Sequence, residues 1–354
     1  MHDVSLPLGL PLVDTEALRQ RLSRRMYSVP LFLLIASLLV ALAPAWIVVG
    51  ALIDFASRGR TTLLRGLFFL GLFFVVDVIC VVCAFVFDVA RSFVSRAQWF
   101  AWHYRLQAWW SVTLLRSAGW LFRLRFEVEG AEHVSRGPVV LLARHVSVGD
   151  TLLPLAFLSG ATGFRCRYVI KQELLFDPCL DIVGNRIPNV FVRRGSGDTE
   201  GEVRRIGRLA QRLGADEGVV IYPEGTRFTV KKRERLLRRL EEKGDTALLD
   251  EARRLHHVLP MRVAGAMAAL QASPSADLVL CAHTGLEGLT TLRDSLAGSC
   301  RGRGVRVRFS RVARAEMPSD PEACRSFLQG RWREVDAYVG NVKAAEKQEQ
   351  RAAA

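Results

Sequence analysis

The chain has 354 residues, half of them hydrophobic, and its formal net charge at pH 7 is +14. Its length allows one large domain or two ordinary ones, and its charge requires an anionic partner such as lipid headgroups, a phosphorylated substrate or nucleic acid. The seven cysteines are scattered except for Cys80 and Cys83, a CxxC inside an apolar run where metal binding is hard to satisfy. No disulfide framework or zinc pattern is visible, which favours a reducing compartment.

Two long apolar runs lie near the beginning of the chain. Residues 1–28 form a polar segment, residues 29–53 contain no charged residue, and residues 66–87 contain one, Asp77. Because each run is long enough to cross the hydrocarbon core of a bilayer, we predict a hairpin of two membrane helices over residues 29–90. Asp77 then marks either an intramembrane functional site or a hairpin that lies at shallow depth in the membrane. The alternative for the two apolar runs is a pair of buried core helices.

Residues 91–125 combine aromatic and cationic side chains. The tryptophans of this segment are Trp99, Trp102, Trp109, Trp110 and Trp120, with arginines between them. Aromatic rings and arginines suit the headgroup layer, so we predict a helix at the membrane surface, and packing of these tryptophans into a core is the alternative. We expect an integral membrane protein whose hairpin has both ends, and hence the rest of the chain, on the cytoplasmic side.

From about Phe126 the pattern changes to short apolar runs separated by helical patterns or loops. The runs are residues 139–142, 168–170, 190–192, 219–222 and 278–281. This order predicts an α/β fold, with a mostly parallel sheet flanked by helices, over residues 126–342. Residues 231–257 are a charged helical insertion in this domain, and residues 343–354 are predicted to be a disordered tail.

A histidine and a carboxylate follow the first predicted strand, where His145 lies five residues before Asp150. A histidine titrates near neutral pH and can remove a proton from an alcohol when an aspartate fixes its orientation. Residues five apart on a helix point about 140° apart, so these side chains meet only if His145 lies on a turn and Asp150 begins a helix. The other six histidines have no Asp at this spacing.

Three more polar segments follow predicted strands or apolar runs. Residues 189–195 end with Arg193 and Arg194, residues 222–228 carry Glu224, Gly225, Thr226 and Arg227, and residues 258–262 carry Pro260 and Arg262. Ligands collect at the carboxyl ends of the strands in open α/β sheets, and guanidinium groups suit phosphate, so these segments are candidates for one site. Taken singly, each also has a simpler interpretation as solvated arginines, a common turn or a packed apolar stretch.

In this order, the four segments resemble the sequence blocks of the glycerolipid acyltransferases, a family whose best-known members are the 1-acylglycerol-3-phosphate acyltransferases. The blocks appear as residues 145–150, 191–194, 224–227 and 258–262, and residues 171–174 match a further Lys-x-Glu-Leu element. The resemblance covers roughly residues 125–310. The sequence after the third block is similar to the branch that holds eukaryotic-type lysophosphatidate and lysocardiolipin acyltransferases.

The resemblance implies a membrane-bound enzyme that moves a fatty acyl group from acyl-CoA or acyl carrier protein to 1-acyl-sn-glycerol 3-phosphate, giving phosphatidic acid. It implies membrane phospholipids and a lysophospholipid acceptor as partners, and no cofactor, metal or nucleic acid. The implied catalytic residues are His145 and Asp150, and the implied phosphate ligands are Arg194 and Arg227, with the neighbouring Arg193 as a further candidate of this sequence. Glu224, Gly225 and Thr226 would position the substrate or the oxyanion, with Glu224 holding an arginine or a headgroup hydroxyl. Contacts with the acceptor or donor fall to Arg144, Lys171, Pro260 and Arg262.

Two positions depart from the family pattern. Arg144 stands where an Asn usually precedes the His, and Arg193 stands where an Asp usually precedes the Arg of the second block. Both changes would add positive charge near the predicted site. The acceptor therefore stays open among 1-acylglycerol 3-phosphate, lysocardiolipin, another lysophospholipid and glycerol 3-phosphate.

Two other classes of protein fit parts of the sequence. A membrane-anchored protein that binds nucleic acid or anionic lipid would use the charge of +14, but the arginines are not interleaved with aromatic residues as a base-stacking platform. A serine hydrolase would use Ser147, but the chain has no Gly-x-Ser-x-Gly sequence.

Overall fold

The computed structural model describes residues 16–58, 62–134, 136–193, 199–287, 289 and 301–352. The helices before the sheet are α1 (Leu18–Ala41), α2 (Ala43–Ala56), α3 (Leu63–Val89) and α4 (Arg96–Phe122). The strands are β1 (Arg125–Glu129), β2 (Val139–Ala143), β3 (Arg165–Lys171), β4 (Val190–Val192), β5 (Glu217–Ile221), β6 (Asp277–His283) and β7 (Gly304–Val312). The other helices described are α5 (Leu152–Pro154), α6 (Gly160–Thr162), α7 (Pro178–Ile182), α8 (Thr199–Leu209), α9 (Val230–Lys243), α10 (Thr246–Arg254), α11 (Val263–Ala272) and α12 (Pro321–Ala352).

The strands form one seven-stranded sheet in the order β1-β7-β6-β2-β5-β3-β4. Neighbouring strands are parallel except β6 and β7, which are antiparallel. Every residue of β2 and β5 is buried, as is typical of parallel strands that are covered on both faces. The predicted α/β fold is therefore confirmed, and the carboxyl ends of β2, β3, β4, β5 and β6 meet at one edge of the sheet.

Two cores lie on opposite faces of this sheet, and β2 contributes to both. Val139 and Leu141 belong to one core, together with side chains of α4 and of residues 152–158. Val140 and Leu142 belong to the other core, together with side chains of α8, α11 and α12. This alternation follows the two-residue period of a strand. The central position of β2 explains why the loop that follows it is held from both faces.

The N-terminal apolar region contains three helices where the sequence predicted two over residues 29–90. Helix α1 already begins at Leu18, and it ends at Ala41, three residues before Pro44, which has no N–H to continue a helix. The first apolar run is therefore divided between α1 and α2. Leu18–Ala41 and Leu63–Phe93 are long and apolar enough to cross a membrane, by length and composition alone.

Polar contacts join α1 and α3 to the sheet domain. The Asp77 carboxylate of α3 accepts a hydrogen bond from Trp110 Nε1 of α4 at 2.6 Å. Arg24 and Arg25 of α1 bind the buried carboxylate of Asp181 on α7 at 2.7 and 2.9 Å. Asp77 thus has a structural contact, and the N-terminal helices are held in a defined position against the domain.

Two helices differ from their predicted environments. Ten of the 27 residues of α4 are buried, and of its tryptophans only Trp109 and Trp120 are exposed, so part of the segment predicted to lie at the membrane surface packs as core. Residues 343–352 continue α12, where the sequence predicted disorder. This extension is stabilised where Lys343 forms an ion pair with Glu287 at 3.0 Å, a contact that no local sequence pattern reveals.

Candidate active site

His145 lies on the turn after β2, and its imidazole contacts the carboxylate predicted as its partner. His145 Nδ1 is 3.0 Å from Oδ1 of Asp150. The second carboxylate oxygen, Oδ2, accepts the backbone N–H groups of Val146 at 2.6 Å and Ser147 at 2.8 Å. Asp150 begins the helical segment 149–162, so the chain reverses between the two residues and brings their side chains together, as the spacing requires.

The environment of the pair suits a general base. The side chain of Asp150 is fully buried and that of His145 is 15% exposed, so the imidazole lies between the protein interior and solvent. Because the Asp150 carboxylate accepts the proton of Nδ1, the lone pair lies on Nε2, which can take a proton from a substrate. The ring of Tyr222 lies 4.9 Å from the His145 ring and limits its movement on one side.

Glu224 joins three of the sequence blocks through backbone contacts. Its Oε1 accepts the N–H of His145 at 2.7 Å, and its Oε2 accepts the N–H of Leu259 at 2.8 Å. Phe228, four residues later, donates its N–H to the His145 carbonyl at 2.6 Å. Both Glu224 oxygens are thus occupied by backbone amides, so this buried side chain positions His145, where the sequence predicted contact with an arginine or a headgroup.

The buried Glu224 carboxyl predicts a pH dependence of stability. Burial raises its pKa to about 8 from the ordinary 4.5, against the lowering effect of the N–H groups of Leu259 and His145. A group whose pKa is higher in the folded state than in the unfolded state stabilises the fold when it is protonated. This contribution is complete at pH values below the unfolded-state pKa, and it is lost as the pH rises through about 8. We therefore expect the free energy of unfolding to fall over this interval in the wild type, and E224Q to lack that part of the fall.

Thermal unfolding between pH 4.5 and 8 measures this effect. Glu234 is exposed on α9, so E234Q is a matched control that should keep the wild-type fall. An equal fall in E224Q and the wild type would contradict the assignment of this pH dependence to Glu224.

The turn after Glu224 is shaped by Gly225. This residue has φ +68°, in the left-handed region, and a Cβ at this position would lie 2.8 Å from Arg262 Nε. Its N–H donates to the Tyr222 carbonyl at 3.0 Å, so the Gly225 amide is occupied and does not serve the predicted oxyanion role. The Thr226 hydroxyl accepts a hydrogen bond from Lys232 Nζ at 2.8 Å.

The remaining predicted ligands surround this edge at different degrees of exposure. Arg227 and Pro260 are half-buried, whereas Arg193 and Arg262 are exposed. Lys171 ends β3 and forms an ion pair with Glu173 at 3.1 Å. Arg194, predicted to bind phosphate, lies outside the described residues. Within the described ranges, no group of three His, Cys, Asp or Glu side chains is arranged to hold a metal ion.

Arg144 is not part of the substrate-facing surface. Its guanidinium is completely buried and donates to the carbonyls of His257 and His283, at 3.0 and 2.6 Å, and to Glu287 Oε1 at 3.0 Å. Burial raises the pKa of Glu287, but the charges of Arg144 and Lys343 outweigh it and lower the pKa to about 2. The predicted acceptor contact of Arg144 is therefore wrong, because every guanidinium nitrogen is used inside the fold.

We expect R144M to destabilise the protein without changing its preference among lipid acceptors. The substitution leaves two buried carbonyls without their cationic donor and removes one of the cations that pair with Glu287, and breaking such a buried pair typically destabilises a fold by about 3–5 kcal/mol. Chemical denaturation and the ratio of KM values for two acceptors measure the two effects. R235M, at an exposed position on α9, is the matched control and should leave stability unchanged. A changed ratio of the two acceptor KM values in R144M would mean that Arg144 does contribute to acceptor binding.

Side chains of α12 bind the backbone of the loop over residues 255–262. The sequence did not indicate these contacts. Asp336 Oδ1 accepts the N–H groups of His256, His257 and Val258 at 3.0, 2.5 and 3.0 Å. Trp332 Nε1 donates to the Leu259 carbonyl at 3.0 Å. Since neither side chain lies in a recognisable motif, only the three-dimensional arrangement identifies these contacts.

His283 was also missed by sequence reasoning, and it lies near the pair of His145 and Asp150. It is the last residue of β6, the strand beside β2, and its side chain lies 3.7 Å from the Asp150 carboxylate. The rule that ligands and site residues collect at strand ends would have identified it, had the order of the strands been known.

Comparisons with known proteins relate this chain to acyltransferases. Residues 125–269 match the family model described as Acyltransferase. A stretch of 154 residues is 30% identical to the 1-acyl-sn-glycerol-3-phosphate acyltransferase of Pseudomonas aeruginosa, and it covers 42% of this chain and 55% of that protein. The chain thus spans about half the length of this curated relative.

The fold is also similar to a solved structure, that of the 1-acyl-sn-glycerophosphate (LPA) acyltransferase PlsC from Thermotoga maritima. The TM-score is 0.50 at 16% sequence identity, and the match covers 76% of this chain and 96% of that one. At this identity the likeness concerns the fold. The family match is limited to residues 125–269, and together with the curated relative it shows that this part of the chain is similar to glycerolipid acyltransferases.

Proposed function

We propose that the protein is a membrane-bound acyltransferase that moves a fatty acyl group from acyl-CoA or acyl carrier protein to the free hydroxyl of 1-acyl-sn-glycerol 3-phosphate. The product is phosphatidic acid. The observation that carries the proposal is the buried Asp150 carboxylate 3.0 Å from His145 Nδ1, at the carboxyl edge of the sheet of a family domain. The acceptor is taken from the relative in Pseudomonas aeruginosa, whose name specifies it.

The reaction follows from the orientation of the imidazole. Nε2 of His145 accepts the proton of the acceptor hydroxyl as the hydroxyl oxygen bonds to the thioester carbonyl carbon. Asp150 stabilises the imidazolium that forms. When the tetrahedral intermediate collapses, the carbon–sulfur bond breaks and the imidazolium returns the proton to the departing thiolate. The ester and a free thiol leave, and no acyl group is attached to the protein at any stage.

Cationic side chains at the edge of the sheet would hold the acceptor phosphate. We assign this role to Arg227, Arg193 and Arg194, because guanidinium groups bind phosphate through paired hydrogen bonds. Arg227 directly precedes Phe228, whose N–H binds the His145 carbonyl at 2.6 Å. A phosphate bound at Arg227 would therefore be placed by the same short segment that fixes the position of the base.

Helices α1 to α3 would place the active site at a bilayer. On α3, the exposed apolar side chains recur at helical spacing: Val75, Ile79, Val82 and Val86. Such a stripe is suited to contact with lipid and would keep the enzyme where both acyl chains can be drawn from the membrane. We expect the sheet domain to lie on the cytoplasmic side, where acyl thioesters are available.

A hydrolytic reaction is disfavoured by the position of Ser147. This residue is completely buried, and its hydroxyl donates to the Leu289 carbonyl at 3.0 Å and accepts the N–H of Gly149 at 2.9 Å. A hydroxyl that is engaged in this way serves the turn between His145 and Asp150 and has no access to a substrate carbonyl.

The phosphate assignment predicts the behaviour of R227A. We expect its KM for the lysophospholipid acceptor to rise by about tenfold, since a charged hydrogen bond to phosphate typically contributes about 1.5–3 kcal/mol, and its KM for the acyl donor to stay unchanged. Steady-state kinetics with each substrate varied in turn measures both. R235A on α9, which removes an exposed arginine nearby in sequence, is the control. A change confined to the KM for the acyl donor would mean that Arg227 does not bind the acceptor phosphate.

A panel of substrates tests the proposed function as a whole. Detergent-solubilised protein is incubated with labelled acyl-CoA or acyl carrier protein and with 1-acylglycerol 3-phosphate, lysocardiolipin, other lysophospholipids or glycerol 3-phosphate, and the products are identified by mass spectrometry. We expect the highest turnover with 1-acylglycerol 3-phosphate. A higher turnover with another acceptor would mean that this other lipid is the substrate. The absence of transfer to any acceptor would contradict the proposed function.

A further inference from the structure

The peptide group between Arg144 and His145 is bound on both sides, by the side chain of Glu224, which follows β5, and by that of His283, which ends β6. Its N–H, which belongs to His145, donates to Glu224 Oε1 at 2.7 Å. Its carbonyl, which belongs to Arg144, accepts a hydrogen bond from Nε2 of His283 at 2.9 Å. Because this peptide leads directly into the Cα of His145, its orientation determines the direction in which the imidazole projects.

His283 is held in one chemical form. A backbone carbonyl only accepts hydrogen bonds, so Nε2 carries the proton and Nδ1 carries the lone pair. The side chain is 1% exposed, and burial lowers its pKa, which keeps it neutral. Nδ1 is buried and has no hydrogen-bond partner among the residues that the structure describes, so the ring is fixed through Nε2 alone.

The same N–H group faces the carboxylate of the catalytic pair. Nε2 of His283 lies 3.7 Å from Oδ2 of Asp150, which is too long for a hydrogen bond but brings the positive end of a neutral dipole towards the anion. Asp150 also accepts the N–H groups of Val146 and Ser147 at Oδ2. A neutral imidazole at this position supports the carboxylate without adding a full positive charge beside His145.

We propose that His283 is a positioning residue for acyl transfer: through the Arg144 carbonyl and the Asp150 carboxylate, it fixes the His145–Asp150 pair in its reactive arrangement. This inference rests on the proposed function and assigns part of the catalytic efficiency to a residue that contacts neither substrate.

Loss of this contact is expected to affect turnover more than binding. In H283F, the Arg144 carbonyl stays buried without a donor, and the peptide before His145 is held only by Glu224 at its N–H. A misplacement of about 1 Å at a reacting group lowers a rate by about 10²-fold, so we expect kcat to fall by about 10- to 100-fold while both KM values stay within about twofold. In H283Q, the side-chain amide reaches the same carbonyl with an N–H, and kcat should stay close to that of the wild type.

A double-mutant cycle separates positioning from general stabilisation. If His283 acts through the pair, H283F should lower kcat by less than about twofold further in a D150N protein, because the residues then act as one unit. An equal loss in both backgrounds would overturn the proposal, and so would a wild-type kcat in H283F. H283N, whose amide is too short to reach the carbonyl, repeats the test with a smaller polar side chain and should behave as H283F does.

A measurement that does not depend on activity distinguishes this proposal from the proposed function. The Nδ1 proton of His145, held by Asp150, is followed by proton NMR of the full chain in detergent. We expect its downfield resonance in the wild type and in H283Q, and its loss in H283F and H283N. This pattern would support the positioning role even if no acyl transfer were found, whereas a resonance that persists in all four proteins would overturn it.

Discussion

Replacing His145 by Ala is expected to lower kcat for acyl transfer by at least about 10³-fold. The substitution removes the only side chain at the edge of the sheet that combines a buried carboxylate partner with a partly exposed ring among the described residues. General base catalysis contributes about 10²–10⁴-fold to typical enzymes, and loss of the imidazole also removes the group that protonates the leaving thiolate. The measurement is single-turnover transfer of labelled acyl-CoA to 1-acylglycerol 3-phosphate.

The fold should survive H145A, because the contacts that hold this position are made by its backbone. The N–H of residue 145 binds Glu224 at 2.7 Å and its carbonyl accepts the N–H of Phe228 at 2.6 Å. We therefore expect wild-type membrane association and thermal unfolding. H133A is the matched control, since the His133 side chain is 67% exposed and lies before β2. Retained turnover in H145A would exclude His145 as the base.

Replacing Asp150 by Asn is expected to lower kcat on the order of 10³- to 10⁴-fold, through the wrong tautomer of His145. The N–H groups of Val146 and Ser147 both require an acceptor, so they fix the Asn oxygen at the position of Oδ2. The Asn amide group then faces Nδ1 of His145, which must accept a hydrogen bond in place of donating one. The proton moves to Nε2, which can no longer take a proton from the acceptor.

The D150N protein should fold normally, because the two backbone contacts at Oδ2 are kept. D216N is the control, since Asp216 is an exposed carboxylate whose main partner is Arg165. The kinetic measurement is kcat under saturating substrates, with circular dichroism to establish the fold. A D150N enzyme with wild-type kcat would mean that Asp150 supports the turn and has no part in orienting the imidazole.

Local sequence patterns predicted the elements and the central pair. The continuous apolar runs of β2 and β5 predicted buried parallel strands, and the spacing of His145 and Asp150 predicted a turn followed by a helix. Such features depend on residues that are close in the chain, so periodicity and spacing are sufficient to find them. The division of the first apolar run at Leu42 was missed, although Pro44 is a local signal for it.

The contacts that hold the pair could not be predicted, because they join residues that are distant in the chain. Glu224 was predicted to contact a substrate or an arginine, because the sequence shows only that it is a polar residue after a strand. The sequence does not show that the backbone N–H groups of His145 and Leu259 bind its carboxylate. Arg144 was assigned to the acceptor by the same reasoning, whereas two carbonyls and Glu287 enclose it. His283 needed the order of the strands, which places β6 beside β2.

The arrangement of this edge explains how a small set of residues can serve the reaction. The side chains of Glu224, which follows β5, and His283, which ends β6, bind the backbone of the turn after β2, and the loop before α11 binds Glu224 in turn. The imidazole of His145 on this turn is partly exposed to solvent. The cationic side chains that we assign to phosphate lie outside this rigid part. We therefore expect substitutions in the rigid part to change kcat or stability, and substitutions among the cations to change KM.

One measurement tests the central claim most directly. Wild-type protein and H145A are each incubated with isotopically labelled acyl-CoA and 1-acylglycerol 3-phosphate, and all lipid products are identified by mass spectrometry. We predict phosphatidic acid that carries the labelled acyl group from the wild type and none above background from H145A. Labelled free fatty acid in place of phosphatidic acid, or equal amounts of phosphatidic acid from both proteins, would contradict transfer by His145.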